Sequence, residues 1–264
     1  MQRRGREPLA LATLVRTSGS SYLPAGARML ISEGRETFGL LSGGCIEDEV
    51  AAQAQSVIDT GAPLTLEFDT RPHFGCSGSL EILVEKVEPD DAFLLSLDRC
   101  LRDRVSFTAD AEVIEPPLQL IIAGESADSI PLARIAQTLG WKVVALREPA
   151  NVAPDSWTVA VVKTHNYGRD FAFLRALLPL DLAYIGLVGS RKRKEQLVGA
   201  LLDLGTPVEQ TTVIRGPAGL DIGSATPEEI ALSIVAEIQA VLSRRPHHSL
   251  RDRKAAPPRL VSAA

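Results

Sequence analysis

The run 118-LQLIIAGESADSIPLARIAQTLGWKVVAL-146 decides how the C-terminal half of this chain folds. Leu118 to Ala123 is almost wholly apolar, as expected of a strand covered on both faces in a parallel sheet. Gly124 breaks it, residues 130–139 read as a helix, Gly140 ends that helix, and residues 142–146 form a second strand. Strand, glycine turn, helix and strand in this span make a βαβ unit. The rhythm continues through strand 158–162, helix 170–178, strand 183–187, a turn at Gly189, helix 191–204 and strand 212–214. The last helix, 226–242, opens on Thr226 with Pro227 next and Glu229 three residues on, the pattern of a capping box. The expectation is a Rossmann-like domain, a parallel sheet with helices on both faces.

A dinucleotide-binding version would carry G-x-G-x-x-G after its first strand. Here 124-GESADS-129 puts Ser126 and Ser129 at the second and third glycine positions. A side chain at the second position crowds a pyrophosphate. Leu146 stands where an acidic residue would grip a ribose, with Glu148 two further on. The fingerprint therefore argues against NAD(P) binding. His165 falls at the end of the third strand of this half, where open α/β sheets place ligand-binding residues. Asn166 and Asp170 follow it, and Asp221 comes from a later turn. His165 reads either as a weak metal ligand or general base, or as a residue that caps a helix and satisfies a turn.

The N-terminal half has another rhythm. Residues 9–15 read as a strand buried on both faces, and 17-TSGSSYLPAGARM-29 as a loop. Its hydroxyls (Thr17, Ser18, Ser20, Ser21) and N–H groups suit an anion, with Arg16 and Arg28 flanking; a solvated hairpin loop fits equally. In 42-SGGCIEDEV-50, Gly43 and Gly44 let the backbone turn sharply and approach a ligand. Cys45 then falls at the start of a helix running to about Thr60, where free N–H groups and the dipole favour a thiolate. A reactive or ligand-binding thiol and a small buried turn residue both fit. In 74-FGCSGSLEILVE-85, Cys76 follows Gly75 just before a strand with one apolar face. Two cysteines in two glycine turns fit one shared site, two unrelated turns, or a disulfide. Residues 90–102 read as a helix, with Cys100 given no role. Residues 110–117 read as a linker ending in Pro116-Pro117. The expected domains are thus 1–115 and 116–242, with 243–264 a disordered basic tail.

The whole chain has 264 residues and a net charge of −5, which gives no reason to expect a nucleic-acid binder. Its tail is basic, so the body is more acidic than the total. No apolar run reaches the length of a membrane-spanning helix, so no membrane role is expected. Met1 to Arg6 is basic but lacks the apolar stretch of a signal peptide. Three cysteines, an odd and sparse count, fit free thiols in a reducing cytoplasm and speak against a disulfide. There is no CxxC, no HExxH and no paired Cys/His zinc spacing.

Taken together, several stretches resemble the XdhC/CoxI family, accessory proteins for molybdenum hydroxylases such as xanthine dehydrogenase. In the first half they are 16-RTSGSS-21, 24-PAGARM-29, 42-SGGCIE-47 and 75-GCSGSLE-81. In the second they are Asp128 with Pro131-Leu132, 164-THNY-167, 184-YIGLVGSR-191, 219-GLDIG-223 and 226-TPEEIA-231. The resemblance spans roughly residues 8–242. It implies an α/β protein: an N-terminal mixed α/β domain rich in strands, then a C-terminal Rossmann-like parallel-sheet domain. It also implies a cytoplasmic chaperone, dimeric with itself, that binds molybdopterin cofactor. Such proteins hold the cofactor during sulfuration by a cysteine desulfurase and help insert it into an apo molybdenum hydroxylase.

Carried over by position, Cys45 and Cys76 become the thiols that contact the cofactor and its metal, in turns shaped by Gly43, Gly44 and Gly75. The pterin's phosphate would use Ser20, Ser21 and Arg28, or the helix start at Gly189, Ser190 and Arg191; an ordinary strand–helix turn is the other reading of 189–191. His165 and Asp221 are the remaining candidate cofactor contacts. The sequence departs from the family in the short run before Pro8, where a helix is usual, and in its weakened glycine fingerprint and Leu146. Two other hypotheses stay open: an NAD(P)-dependent oxidoreductase with Cys45 as redox thiol, and a scaffold that only docks a client enzyme.

Overall fold

The computed structural model describes residues 7–19, 21–69, 78–109, 112–149, 154–180 and 182–252. The chain divides into two compact units, Met1–Glu115 and Pro116–Ala264.

In the first unit, strands β1 (Leu9–Gly19), β2 (Arg28–Ile31), β3 (Thr37–Gly39), β4 (Leu64–Asp69) and β5 (Gly78–Val87) form an antiparallel sheet in the order β3-β2-β1-β5-β4. Alternation sorts its faces. Ala10, Ala12, Leu14, Met29, Ile31, Leu80, Ile82 and Val84 meet helix α1 (Glu47–Thr60), which lays down Val50, Ala54, Val57 and Ile58. Each large side chain buried there contributes about 1.5–3 kcal/mol relative to exposure. Gly61, left-handed, ends α1 and donates its N–H to Val57.

Helix α2 (Ala92–Asp103), capped by Asp91, and the hairpin of β6 (Phe107–Ala109) and β7 (Glu112–Ile114) complete the unit. The hairpin corrects the reading of 110–117 as linker. Val113 and Ile114 are β-branched residues that pair with Thr108 and Phe107, so chain-to-chain hydrogen bonds extend to within one residue of the unit boundary.

Two further expectations change. β1 does not stop before the Ser/Gly cluster, because Thr17, Ser18 and Gly19 pair with Leu80, Ser79 and Gly78 of β5. Nor is it buried on both faces throughout: Leu11 is buried, but Val15 is exposed.

In the second unit, β8 (Gln119–Ala123), β9 (Lys142–Leu146), β10 (Thr158–Val162), β11 (Ile185–Leu187) and β12 (Ile214–Arg215) form a parallel sheet in the order β12-β11-β10-β8-β9. Helices α3 (Ser129–Thr138), α4 (Tyr167–Leu177), α5 (Arg191–Asp203), α6 (Val208–Thr211) and α7 (Pro227–Leu242) accompany it. Leu120, Ile122, Val159 and Val161 pack with α3 and α7, while Ile121, Ala123, Ala160 and Val162 pack with α4 and α5. This two-sided burial is why β8 and β10 are apolar at each position after their first residues, Gln119 and Thr158. The stretch read as a strand over 212–214 is shorter and later than expected. The turn from Pro207 winds into α6 instead, and Thr211 bonds back to the Val208 carbonyl at 2.8 Å.

The capping box of α7 is present, with Thr226 and Glu229 bonded to each other's backbone N–H. Of the stretch read as a disordered tail, residues 243–252 are described and include a 3-10 turn, Leu250–Asp252; the rest lies outside the described residues. Among the described residues no helix is long and apolar enough to cross a membrane.

Candidate functional site

The loop that carries Cys45 is built around one carboxylate. Glu47, the first residue of α1, is buried, and its Oε1 accepts the N–H of Leu41 at 3.2 Å and of Ser42 at 2.7 Å. Its Oε2 accepts the N–H of Ile46 at 3.1 Å and the Ser42 hydroxyl at 2.9 Å. The Ser42 hydroxyl in turn accepts the Cys45 N–H at 3.3 Å. Burial pushes the Glu47 pKa up, but these hydrogen bonds outweigh it and hold the carboxyl below its ordinary range. The bonds fold residues 41–46 into a closed turn, with Leu41 and Ile46 in the core and Gly43, Gly44 and Cys45 exposed. Gly44 has φ +98°, a conformation that side chains resist.

This revises the electrostatic expectation for the thiol. Cys45 lies one residue before the α1 N-cap, Ile46, and not at the helix start itself. The Ile46 N–H beside it goes to Glu47, and its own N–H goes to Ser42. What the structure offers is exposure of the thiol on a fixed loop, one residue outside the helix cap.

Strand register places the other candidates of this unit. Gly39 pairs with Met29, Thr13 with Arg28, Gly19 with Gly78, and Asp69 with Ser79. β2 and β3 thus end level with Thr13 and Ala12, whereas β1, β4 and β5 run on to Gly19, Asp69 and Gly78, so the loop 40–46 leaves the sheet some six residues short of that edge. A Cβ on Gly43 would lie 3.7 Å from the Tyr22 ring, so the two loops run close together there. Ser21 is held locally, its hydroxyl 2.6 Å from the Leu23 carbonyl. Ser20, Gly75 and Cys76 lie outside the described residues.

Arg28 is an internal residue. Its Nη1 is 2.6 Å from Glu112 Oε2, and its guanidinium lies 5.6 Å from the centre of the Phe93 ring. Those contacts tie β2 to the β6–β7 hairpin and α2, beside a depression of about 690 Å³ lined by Thr13, Val15, Leu83, Glu85 and Glu112. That depression is not lined by Cys45.

In the second unit the winding reverses between β8 and β10, the switch point where open α/β sheets bind ligands. Gly124 permits a close approach there: a Cβ on it would fall 2.8 Å from the Lys163 carbonyl oxygen. Lys163 is buried, and its Nζ lies 2.9 Å from Asp128 Oδ2 and 2.7 Å from the Asp128 carbonyl. His165 Nε2 is 3.1 Å from the same Oδ2, and Ser126 donates its hydroxyl to Oδ1. Burial pushes the Asp128 pKa up, but Ser126, Lys163 and His165 together hold it at about 2. His165 has φ +57°, uncommon for a residue with a side chain. It does not cap α4, because that cap is Asn166, whose side chain accepts the Arg169 N–H at 3.0 Å.

The serines read as fingerprint damage are part of this turn. Ser126 serves Asp128, and Ser129 lies 3.3 Å from the Gly124 carbonyl. Sequence reasoning does not single out Lys163; the available signal is a lysine directly after four apolar strand residues, Val159 to Val162. Gly189, Ser190 and Arg191 form the start of α5, with the Ser190 side chain accepting the Arg193 N–H at 3.2 Å. Arg193 reaches the fully buried Asp170 at 2.6 Å, and Asp170 also takes the Thr164 N–H at 3.0 Å. Asp221 is exposed, and no contact joins it to His165 among the described residues. Nor do three His, Cys, Asp or Glu side chains converge to hold a metal among those residues.

The two units define a class: an antiparallel sheet that presents a cysteine loop, and a doubly wound α/β unit. The family described as XdhC Rossmann domain matches residues 120–238, and the XdhC and CoxI family matches residues 2–69. The chain belongs to the XdhC/CoxI family. It is similar to a probable xanthine dehydrogenase subunit of Bacillus subtilis, 26% identical over 88% of this chain and 93% of that protein. It is also similar to the molybdenum cofactor insertion chaperone PaoD of Escherichia coli, 25% identical over 88% of this chain and 82% of that protein. A crystal structure described as a xanthine dehydrogenase from Bacillus halodurans shares the fold, with a TM-score of 0.75 and 24% identity over 91% of this chain and 93% of that one.

Proposed function

We propose that this protein is a maturation chaperone that carries molybdopterin cofactor as cargo and delivers it to an apo molybdenum hydroxylase. The observation that carries this reading is the exposed Cys45 thiol on a loop fixed by Glu47. The names of two relatives, one a cofactor insertion chaperone and the other part of a xanthine dehydrogenase, support it. The residues present suit the cargo. A thiolate is a soft donor for a thiophilic metal. The exposed N–H groups of Gly43 and Gly44, which no described residue accepts, suit a sulfur-rich anion. Cys45 binds the metal end of the cargo, and Glu47 keeps the loop in one conformation. Cys76 is a second thiol for the same cargo.

In this account the protein works in the cytoplasm as a homodimer and holds the cargo while a cysteine desulfurase sulfurates it. Among the described residues, the turn after β8 speaks against the oxidoreductase alternative. In a dinucleotide-binding unit the pyrophosphate sits at the N-terminus of the helix after the first strand. Here Asp128 stands at the N-cap of that helix and engages Lys163, so the buried cation of the turn is already committed to a carboxylate.

The test is reconstitution. An apo molybdenum hydroxylase is incubated anaerobically with molybdopterin cofactor, a cysteine desulfurase, cysteine and this protein. Activation well above the mixture lacking the protein, and lost with Cys45→Ala, is expected. Equal activation with and without the protein contradicts the reading.

A further inference from the structure

We propose that Tyr22 is the stacking platform for the flat pyrimidinone ring of the cargo's pterin, beside the loop that carries Cys45; this rests on the chaperone reading and deepens it. Tyr22 is 78% exposed, whereas Tyr184 is fully buried and Tyr167 is 41% exposed. Its ring lies beside the cysteine loop, with Cγ and Cδ2 at 3.7 and 3.8 Å from where a Cβ on Gly43 would stand. A tyrosine left mostly in water forgoes the burial that usually rewards so large a ring. It therefore offers apolar surface to a ligand at little conformational cost.

Both loops are held by hydrogen bonds. In the cysteine loop, Glu47 binds the N–H groups of Ser42 and Ile46 at 2.7 and 3.1 Å. The far end of the Tyr22 loop is tied to β1 by Gly26 N–H to the Leu14 carbonyl and Leu14 N–H to the Ala27 carbonyl, both at 2.8 Å. A preorganised aromatic face loses little entropy when a planar ring settles on it. The cargo has a thiophilic metal at one end and a flat pyrimidinone ring at the other, the chemistry that a thiol and an aromatic face on neighbouring loops suit.

The experiment measures the affinity of the full chain for molybdopterin cofactor, anaerobically, beside Tyr22→Ala, Tyr22→Phe and Cys45→Ala. Tyr22 is exposed, so its variants keep the fold, which far-UV circular dichroism verifies. Tyr22→Ala is expected to weaken binding about 10-fold or more, in the range of base–aromatic stacking, and Tyr22→Phe to stay within about 2-fold of the wild type. Wild-type affinity in Tyr22→Ala, with loss in Cys45→Ala, overturns the stacking role and leaves the chaperone reading standing. Equal weakening in Tyr22→Phe and Tyr22→Ala also overturns it, because the hydroxyl and not the ring face would then act. Absence of binding by the wild type overturns both.

Discussion

Glu47 accepts the backbone N–H of Ser42 at 2.7 Å, and this one bond closes the loop that carries Cys45 onto the helix that follows it. The carboxylate also takes the Ser42 hydroxyl and the N–H groups of Leu41 and Ile46. Replacing it by an amide of the same shape turns one acceptor into a donor that faces other donors. Glu47→Gln is therefore expected to destabilise the protein by about 2–3 kcal/mol, since hydrogen bonds to a charged group are the strong ones. Ser42→Ala should cost about 1 kcal/mol. Urea unfolding read by circular dichroism checks both, and an unchanged midpoint in Glu47→Gln contradicts this view of the loop.

Asp128 ties acid stability to the switch point. Its carboxyl titrates at about 2 in the folded protein, below its ordinary value of 3.8. The folded pKa is depressed, so its contribution is full above pH 3.8 and is lost as pH falls towards 2. Asp128→Asn should flatten this part of the acid limb. At neutral pH it should cost about 2–3 kcal/mol, because Lys163 stays buried without its counter-charge. Urea midpoints collected from pH 2 to pH 7 check the prediction. Parallel acid limbs in wild type and variant contradict it.

Gly124→Ala tests the close approach of the turns after β8 and β10. Its φ is +121°, and a Cβ would meet the Lys163 carbonyl oxygen at 2.8 Å and Thr164 Cα at 2.9 Å. These neighbours are backbone and cannot swing aside. A loss of about 2–4 kcal/mol is expected, measured as a lowered midpoint. A stability equal to wild type would show that the approach is looser than described.

Thr226→Ala removes half of the α7 capping box. The expected cost is about 1 kcal/mol, and Thr226→Ser should recover most of it. Thermal melts of the three proteins suffice, and the prediction fails if Ala and Ser behave alike.

The fold was legible where local signals and packing agree. Apolar runs such as Leu120 to Ala123 are strands covered on both faces, and Thr226-Pro227-Glu228-Glu229 marked the start of α7. It was not legible where a partner distant in sequence decides. Ser18 looks like a loop residue until β5 supplies Ser79 opposite it, and Glu112 looks like linker until Arg28 reaches it across 84 residues. The candidate site was legible in part. The glycines marked the Cys45 turn, but its organiser, Glu47, resembled any acid in a helix's first turn. Lys163 and Asp128 meet across 35 residues, and the nearness of Tyr22 to Gly43 depends on how two loops fold beside each other; no spacing rule reports either.

The central claim is that the Cys45 loop holds the cargo, and retention measures it most directly. The purified protein is mixed anaerobically with molybdopterin cofactor and desalted, and bound molybdenum and pterin are quantified beside Cys45→Ala and Cys76→Ala. The account predicts retention near one cofactor per chain in the wild type and its loss in Cys45→Ala. Retention in Cys45→Ala equal to wild type, or none in the wild type, contradicts it.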